Sequence, residues 1–322
     1  MASALGIFID RNIIKYAKLD GTKGKLKVES YGMKYGENHK ELLNQIIEET
    51  NSSKNNVVIN ATEIHYEETS IFSMLKKKDY DKAVEVAYEE IIEKQKMRPE
   101  LLEYGYILSK NPADSEKLHV LLGIQEKVAM ETRANLFGPN VMLYSQMPIG
   151  ISISNVYGSP LPALIVNIEE ETYITEVYDS EPVKVTRIPT GTRNIINTIN
   201  NEENSISKSY EVLRNMVLPT DDMDQISFEG NEYAPVIVSE IMKIVSEIKS
   251  VMKKRPGIYK KIYISGTGAT ISNLETFIEK LIDDVECDIL RPAGIEGQKK
   301  VAVKEYVDVN SAIALACEAL RI

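Results

Sequence analysis

Two tight turns carry the side chains of this sequence that could do chemistry. A first hairpin-like pattern, residues 5–19, turns at Asp10-Arg11-Asn12, and a second, residues 164–178, turns at Glu169-Glu170-Glu171. Each pair of strand-like stretches is followed by a third one and then by a helix-like segment. Two such halves facing each other would form a nucleotide cleft with both turns at the phosphates. The residue types at these turns therefore decide whether the chain is an enzyme.

A glycine-rich turn is the next candidate for ligand binding. Residues 266–269, Gly-Thr-Gly-Ala, follow a strand-like stretch at 260–265, and the pattern predicts that they open a helix. Glycines allow close approach of the backbone to a ligand, and a helix N-terminus offers free N–H groups with positive potential. The same glycines also satisfy the steric needs of an ordinary strand-to-helix turn. Both interpretations stay open at this point.

Other catalytic or metal-binding patterns are missing from the sequence. His39, His65 and His119 are scattered, with no metalloprotease, serine-hydrolase or Cys/His spacing around them. The two cysteines, Cys287 and Cys317, have no CxxC spacing, so they predict neither a metal cluster nor a disulfide framework. We therefore expect no catalytic residue and no metal ligand of these kinds, and a reducing, cytoplasmic environment.

Composition excludes several classes of partner. The 322 residues include 38 basic and 48 acidic side chains, a formal charge of -10, which opposes binding to nucleic-acid phosphates. With 43% hydrophobic residues the chain can bury ordinary globular cores, and its length suits roughly two domains. No window approaches the roughly 18 consecutive apolar residues of a membrane span. Any membrane association would have to be indirect.

The order of elements predicts an α/β fold that is written twice. The first half reads strand, strand, strand, helix, strand, and the second half repeats that order, with a long amphipathic helix at 235–254 before its last strand. Beyond the two hairpins, the predicted elements are strands at 25–31, 56–60, 182–188 and 260–265 and helices at 41–49 and 191–200.

The segment from Ile64 to Tyr144 has its own pattern between the two halves. It predicts a compact α+β insert with helices at 81–96 and 125–137 and strands at 102–108 and 117–124. Proline-containing loops separate these elements.

Taken in order, four segments carry a resemblance to a known family. The order of these segments along the chain, 6–15, 187–191, 210–214 and 266–269, resembles the order seen in the actin-like ATPase superfamily. The chain resembles more closely the PilM proteins of type IV pilus assembly, which are related to the cell-division protein FtsA. The resemblance runs nearly end to end and includes the insert and the tail at 310–316.

The resemblance implies an actin-like (RNase H-like, duplicated) two-lobed fold with a small α+β extra subdomain. The first lobe would span residues 1–161 and contain the inserted subdomain at about 64–144. The second lobe would span residues 162–322, and its last helix, at about 309–321, would pack back towards the first lobe. ATP would lie between the lobes.

Seven positions match residues that approach the nucleotide in this family, and others depart from its pattern. Phe8 and Asp10 stand where Asp and Gly are expected, Asn167 and Glu169 where the second turn has Asp and Gly, and Thr192 replaces a usual Gly. A phenyl ring cannot ligate Mg²⁺ through water, and added carboxylates repel phosphate. The matching, cofactor-binding positions are Lys15, Gly191, Glu211, Arg214, Gly266, Gly268 and Ala269.

Structural roles explain the departing residues as well. Asp10-Arg11-Asn12 is acceptable turn sequence, residues 169–171 suit a solvated hairpin tip, and Phe8 alternates as a core strand residue does. Lys15 is then expected on the surface. The alternative to these structural roles is that Asp10 and Glu169 share a Mg²⁺ ion, which would offset the repulsion between their carboxylates and a phosphate. No cofactor is required on this interpretation, although weak binding of ATP or ADP with Mg²⁺ is retained as an expectation.

The resemblance implies a cytoplasmic PilM-like scaffold of a type IV pilus or related secretion platform, with ATP hydrolysis absent or very weak. It would bind the short cytoplasmic segment of a membrane-anchored partner in a groove between the first lobe and its extra subdomain, and so lie peripheral to the inner face of the cell membrane. Self-association is also open.

Three other functions compete with this scaffold. One is an active actin-like ATPase or a filament-forming FtsA-like protein. Another is a GspL-like cytoplasmic domain of a type II secretion platform, which is expected only if the chain is truncated. A sugar kinase is disfavoured because no acidic base or sugar-binding motif can be placed.

Overall fold

Three β-sheets organise the chain in the computed structural model. The structure describes residues 2–22, 25–52, 57–61, 64–111, 113–137, 143–145, 162–179, 181–219, 232–291, 295–296 and 303–320. The predicted boundary at residue 161 lies outside these described residues.

The first sheet has the strand order β14-β3-β2-β1-β4-β8, and all of its strands except β14 come from the N-terminal half. Strands β1 and β2 form an antiparallel hairpin in which Phe8 faces Lys15, and β4 adds to β1 in parallel. Helix α1 packs Leu43 and Ile46 on one face of this sheet. The elements are β1 Ala2–Ile9, β2 Ile13–Thr22, β3 Lys25–Tyr35, α1 His39–Glu49, β4 Val57–Asn60, β8 Leu143–Ser145 and β14 Ile295–Glu296.

The second sheet repeats this arrangement in the C-terminal half, with the strand order β11-β10-β9-β12-β13. Strands β9, β10 and β11 form an antiparallel meander, and β12 joins β9 in parallel. Helices cover the sheet, and the long helix α6 buries Ile237, Ile241 and Ile244 in its core. The elements are β9 Ala163–Ile168, β10 Thr172–Tyr178, β11 Glu181–Ile188, α4 Arg193–Glu203, α5 Ile206–Arg214, α6 Ala234–Lys254, β12 Lys261–Ser265, α7 Leu274–Leu281 and β13 Glu286–Ile289.

A third, antiparallel sheet lies in the chain between β4 and β8 and has the order β5-β7-β6. We call these strands, with α2 and α3, the inserted subdomain. Helix α2 buries Val84, Tyr88 and Ile92 against the sheet. The elements are β5 His65–Phe72, α2 Tyr80–Gln95, β6 Leu102–Lys110, β7 Lys117–Glu126 and α3 Lys127–Phe137.

The inserted subdomain also contacts the edge strand β11 of the second sheet. The ring Nε2 of His119 lies 2.5 Å from the carbonyl oxygen of Val183, and Leu121 packs against Val185. Lys184 pairs with Glu68 across the same junction. Burial lowers the pKa of His119, which suits a neutral ring donating to a carbonyl. The subdomain therefore touches both halves of the molecule.

The last helix, α8 Val303–Ala319, joins the two lobes. Ala312, Ile313 and Ala316 lie in a core cluster with Phe8 of β1 and Ile165 of β9. A Cβ atom on Gly6 would lie 1.9 Å from the carbonyl oxygen of Ala312, so only glycine allows this helix to cross β1 so closely.

Most predicted elements appear within a few residues of their expected ends, and the α/β class is confirmed. Strand β5 was missed because its sequence, HYEETSIF, has apolar residues mainly at one end. The last helix begins at Val303, six residues before the expected start, and its predicted end at residue 321 lies outside the described part. The glycine-rich turn does not open a helix directly: a 3-10 turn at Thr267–Thr270 precedes α7.

Candidate functional site

The two turns that the sequence singled out lie against each other between the lobes. The backbone N–H of Arg11 donates to the carboxylate of Glu170 at 3.0 Å, and the N–H of Glu170 donates to Asp10 at 3.2 Å. The start of helix α4 supports the second turn, since the N–H of Thr192 donates to the carbonyl of Glu169 at 2.7 Å. The tips of both hairpins are thus bonded to each other within the protein.

Behind the turns, the ammonium group of Lys15 forms the centre of a buried ionic cluster. Its Nζ lies 2.5 Å from Glu169 Oε2, 2.5 Å from Thr267 Oγ1 and 3.0 Å from Asp308 Oδ1. These three contacts use the three N–H donors of the ammonium group. The ring of Phe8, opposite on β1, has its centroid 5.8 Å from the same nitrogen.

The carboxylates of this cluster have further partners. Ser311 donates its hydroxyl to Glu169 at 2.6 Å, and the Thr267 backbone N–H donates to the same carboxylate at 3.2 Å. Arg214 Nε lies 2.5 Å from Asp308 Oδ2. Two cations therefore balance two carboxylates. We call Lys15, Glu169, Thr267, Asp308, Ser311 and Arg214 the Lys15 cluster.

Burial and charge shift the pKa values in and beside this cluster. Burial lowers the pKa of Lys15, but Glu169 and Asp308 outweigh it, so the net pKa is raised. Burial raises the pKa of Asp308, but Lys15 and Arg214 outweigh it and lower it overall. A raised lysine pKa stabilises the fold until the pH rises through it, and a lowered aspartate pKa stabilises until the pH falls through it. The cluster thus stabilises the fold across neutral pH.

Asp10, in the first turn, has the opposite tendency. Burial raises its pKa, and the nearby Glu169 and Glu170 raise it further. Its ionised form therefore opposes folding as the pH rises above its ordinary value, because the folded state favours the protonated acid.

Two structural expectations from the sequence were wrong. Lys15 was expected on the surface, yet its side chain is fully buried, because strand β2 directs it between the lobes to two carboxylates. Glu169 and Glu170 were expected in a solvated tip, yet they are 1% and 5% exposed, because the first turn and Arg193 cover them. The expectation that Phe8 is a core residue is confirmed by its 2% exposure.

The glycines assigned to nucleotide binding pack closely on the second turn. A Cβ on Gly191 would lie 2.5 Å from the carbonyl oxygen of Glu169, and one on Gly268 would lie 2.4 Å from Ile168 Cγ2. Gly266 has φ of 83°, and a Cβ there would meet the carbonyl of Ile168 at 2.6 Å. Local packing by itself explains why these positions are glycine.

The other assigned residues divide between the cluster and its surroundings. Lys15 and Arg214 belong to the Lys15 cluster, and Ala269 is buried beside it in the second-lobe core. Glu211 lies on the exposed side of α5. Nucleotide binding at these positions remains a prediction.

Three cluster residues were not assigned a role from the sequence: Thr267, Asp308 and Ser311. Asp308, Asn310 and Ser311 form a polar group inside an otherwise apolar stretch of helix α8, and all three are nearly inaccessible to solvent. A polar group within an apolar helix was the signal that could have pointed to them, since buried polar side chains need partners.

An ATP–Mg²⁺ group, which the resemblance implies at this place, does not fit the residues present. Lys15 already binds Glu169, Thr267 and Asp308 through all of its donors. The two turns are also bonded to each other instead of to a ligand. Binding a phosphate there would require the cluster and the turn contacts to separate.

A cavity of about 450 Å³ opens on the outer side of the two turns. Its walls come from the first hairpin turn, the second hairpin turn and the inserted subdomain. The polar residues that line it include Arg11, Arg133, Arg187, Arg193, Glu170 and Glu171.

The part of the chain that the structure describes contains neither a membrane-spanning helix nor a metal-binding group. There, no helix has the length and apolar character needed to cross a bilayer. No group of three or more His, Cys, Asp or Glu side chains is placed to hold a metal ion in the same residues.

Comparison of the sequence with protein-family models and with curated proteins gives no match. Solved structures do match over nearly the whole chain. A chain of the PilM–PilN type IV pilus biogenesis complex has a TM-score of 0.72 at 13% identity, with 98% of both chains covered. The ethanolamine utilization protein EutJ from Carboxydothermus hydrogenoformans has a TM-score of 0.53 at 8% identity, with 99% of this chain and 89% of that one covered.

A third similar structure holds a nucleotide analogue. The activator of the 2-hydroxyisocaproyl-CoA dehydratase from Clostridium difficile, with bound ADPNP, has a TM-score of 0.50 at 9% identity, covering 99% of this chain and 95% of that one. At these identities the comparisons establish the fold. The chain has the two-lobed, actin-like ATPase fold, and its structural neighbours include a chain of the PilM–PilN type IV pilus biogenesis complex.

Proposed function

We propose that the protein is a PilM-like scaffold of a type IV pilus or related assembly platform, which works without ATP hydrolysis. The likeness to a chain of the PilM–PilN complex over 98% of both chains supports the assembly role. The observation that carries the loss of hydrolysis is the Lys15 cluster, which fills the space between the lobes with paired protein charges.

The proposed partner is a membrane-anchored protein that offers a short cytoplasmic segment. This chain would then be cytoplasmic and held at the inner face of the membrane through that partner. We propose that the segment docks where the first lobe meets the inserted subdomain. Helix α3 lies at this junction, since Arg133 Nη2 donates to Asn60 Oδ1 of the first lobe at 3.0 Å.

A matched pair of valine variants tests this docking site. Val128, at the start of α3, is 61% exposed, and Val217, in the second lobe, is 60% exposed. We expect Val128→Asp to weaken binding of the partner's cytoplasmic peptide by about tenfold, because it places a charge beside the proposed groove, and Val217→Asp to leave it unchanged. Isothermal titration with a synthetic peptide of the cytoplasmic segment of a single-span candidate partner measures both.

Equal effects of the two valine substitutions would reject the groove. Absence of peptide binding to the unmodified chain would reject the partner class. Nucleotide-dependent pelleting of the protein alone would favour the filament-forming alternative.

A nucleotide assay tests the loss of hydrolysis. We expect phosphate release from Mg²⁺-ATP to stay at background, because the donors and carboxylates between the lobes are already paired. Turnover above background that is abolished by Gly268→Val would overturn this proposal. Turnover that survives that substitution would point to a contaminating ATPase, and the fold stability of the variant is checked by circular dichroism.

A further inference from the structure

The cavity beside the two hairpin turns has an excess of positive charge. Four arginines line it, Arg11 on the first turn, Arg133 on α3, and Arg187 and Arg193 in the second lobe. The carboxylates of Asp10, Glu170 and Glu171 face them, so one positive charge is left over. Glu169, which also lines the cavity, pairs with Lys15. The cavity therefore favours an anionic occupant.

The carboxylates in the cavity wall are already bonded to protein donors. Glu171 lies 2.5 Å from Arg187 and 3.1 Å from Arg193, and Glu170 lies 3.4 Å from Arg193. Arg11 gives only its backbone N–H to Glu170, and its side chain is exposed. The guanidinium of Arg11 is thus placed to meet a ligand at the mouth of the cavity.

A second observation comes from Tyr66 on strand β5, which also lines the cavity. Its hydroxyl is buried and has no hydrogen-bond partner among the residues that the structure describes. A buried hydroxyl without a partner destabilises a protein, and most such groups in folded proteins are satisfied. An acceptor oxygen brought by a ligand would satisfy this donor.

The remaining wall of the cavity is apolar. Phe8, Ile9, Ile64 and the ring of Tyr173 line it together with the ring of Tyr66. A ligand that suits both surfaces has a small anionic head and a short carbon stem. A carboxylate meets this description, and its two oxygens match the paired donors of a guanidinium.

We propose that this cavity is a carboxylate-binding site in which Arg11 and Tyr66 hold the two carboxylate oxygens. A phosphate dianion is disfavoured because the wall leaves one positive charge over, which balances a single negative charge and leaves the second one unpaired. A carboxylate bound there touches both lobes and the inserted subdomain, so its binding stabilises the contacts among these three parts. This proposal does not rest on the scaffold function, although Asn60 and Arg133 of the proposed docking junction also line the cavity.

Two sources of the carboxylate are distinguished by the choice of probe. Succinate represents a free organic acid, and a blocked tripeptide with a central Glu represents an acidic protein segment, with the Gln tripeptide as its control. We expect saturable binding of at least one carboxylate probe, with a dissociation constant of about 1 mM or tighter, seen as a change in NMR spectra of the full chain. The probe that binds identifies the source.

Three variants test the residues. Arg11→Gln is expected to weaken binding about tenfold and Tyr66→Phe about fivefold, while Arg98→Gln, an exposed arginine outside the cavity, leaves it unchanged. Tyr66→Phe is also expected to keep the melting temperature of the free protein, because the hydroxyl of Tyr66 bonds to no group in the described part of the chain. Failure of all carboxylate probes, equal binding by Arg11→Gln and Arg98→Gln, or tighter binding of phosphate than of either carboxylate would overturn the proposal.

Discussion

Replacing Lys15 by methionine is expected to lower the free energy of unfolding by about 3–5 kcal/mol, the cost of leaving one member of a buried ion pair without its partner. Methionine fills a similar volume, so the effect is electrostatic. Without the ammonium group, Glu169 and Asp308 face each other with only Arg214 to balance them. Urea unfolding followed by circular dichroism measures the change at neutral pH.

The double variant Lys15→Met with Glu169→Gln separates charge from packing. It removes the unbalanced carboxylate and keeps the Asp308–Arg214 pair, so most of the lost stability is expected to return. Lys34→Met is the matched control, because Lys34 pairs with the half-exposed Glu49 and such pairs contribute little. If Lys15→Met unfolds at the same urea concentration as Lys34→Met, the cluster does not hold the lobes together.

Substituting Gly6 by alanine is expected to destabilise the protein by about 3 kcal/mol, at the upper part of the range for overpacked cores. The added Cβ would lie 1.9 Å from the Ala312 carbonyl oxygen and 2.5 Å from the Ala316 nitrogen. These are backbone atoms of α8, so the whole helix must move away from β1. The measurement is again the free energy of unfolding in urea.

Gly32→Ala provides the control for Gly6→Ala in the same sheet. Its Cβ would lie 2.9 Å from the hydroxyl of Tyr16, which is the end of a flexible side chain and can turn aside. We expect a change below about 1 kcal/mol. Equal stability of the two alanine variants would mean that α8 does not pack on β1 as described.

Local pattern predicted much of the fold. The alternation in β10 gave both of its ends correctly, and the amphipathic helix α6 was placed within one residue of its observed start. These elements bury a regular face, which leaves a regular pattern in the sequence. Strand β5 leaves no such pattern, since five of its eight residues are only partly buried.

The Lys15 cluster could not be predicted in the same way. Lys15, Glu169 and Asp308 are separated by well over a hundred residues in the chain, and lysine is the residue type that is least often buried. Its burial follows from the meeting of two lobes and a helix, none of which is local. The sequence identified the two turns as the decisive place, but the side chains behind them supply the interaction.

The contact of the inserted subdomain with β11 restricts how copies of this chain could join. An edge strand exposes unpaired N–H and C=O groups, and proteins protect such strands from pairing with a neighbouring molecule. Here the ring of His119 donates a hydrogen bond to the carbonyl of Val183, and Leu121 packs on Val185. Lateral pairing of the second sheet with that of a neighbouring molecule would therefore have to use its opposite margin, β13. A contact between two such margins joins two copies and leaves no further edge of this sheet for growth into a polymer.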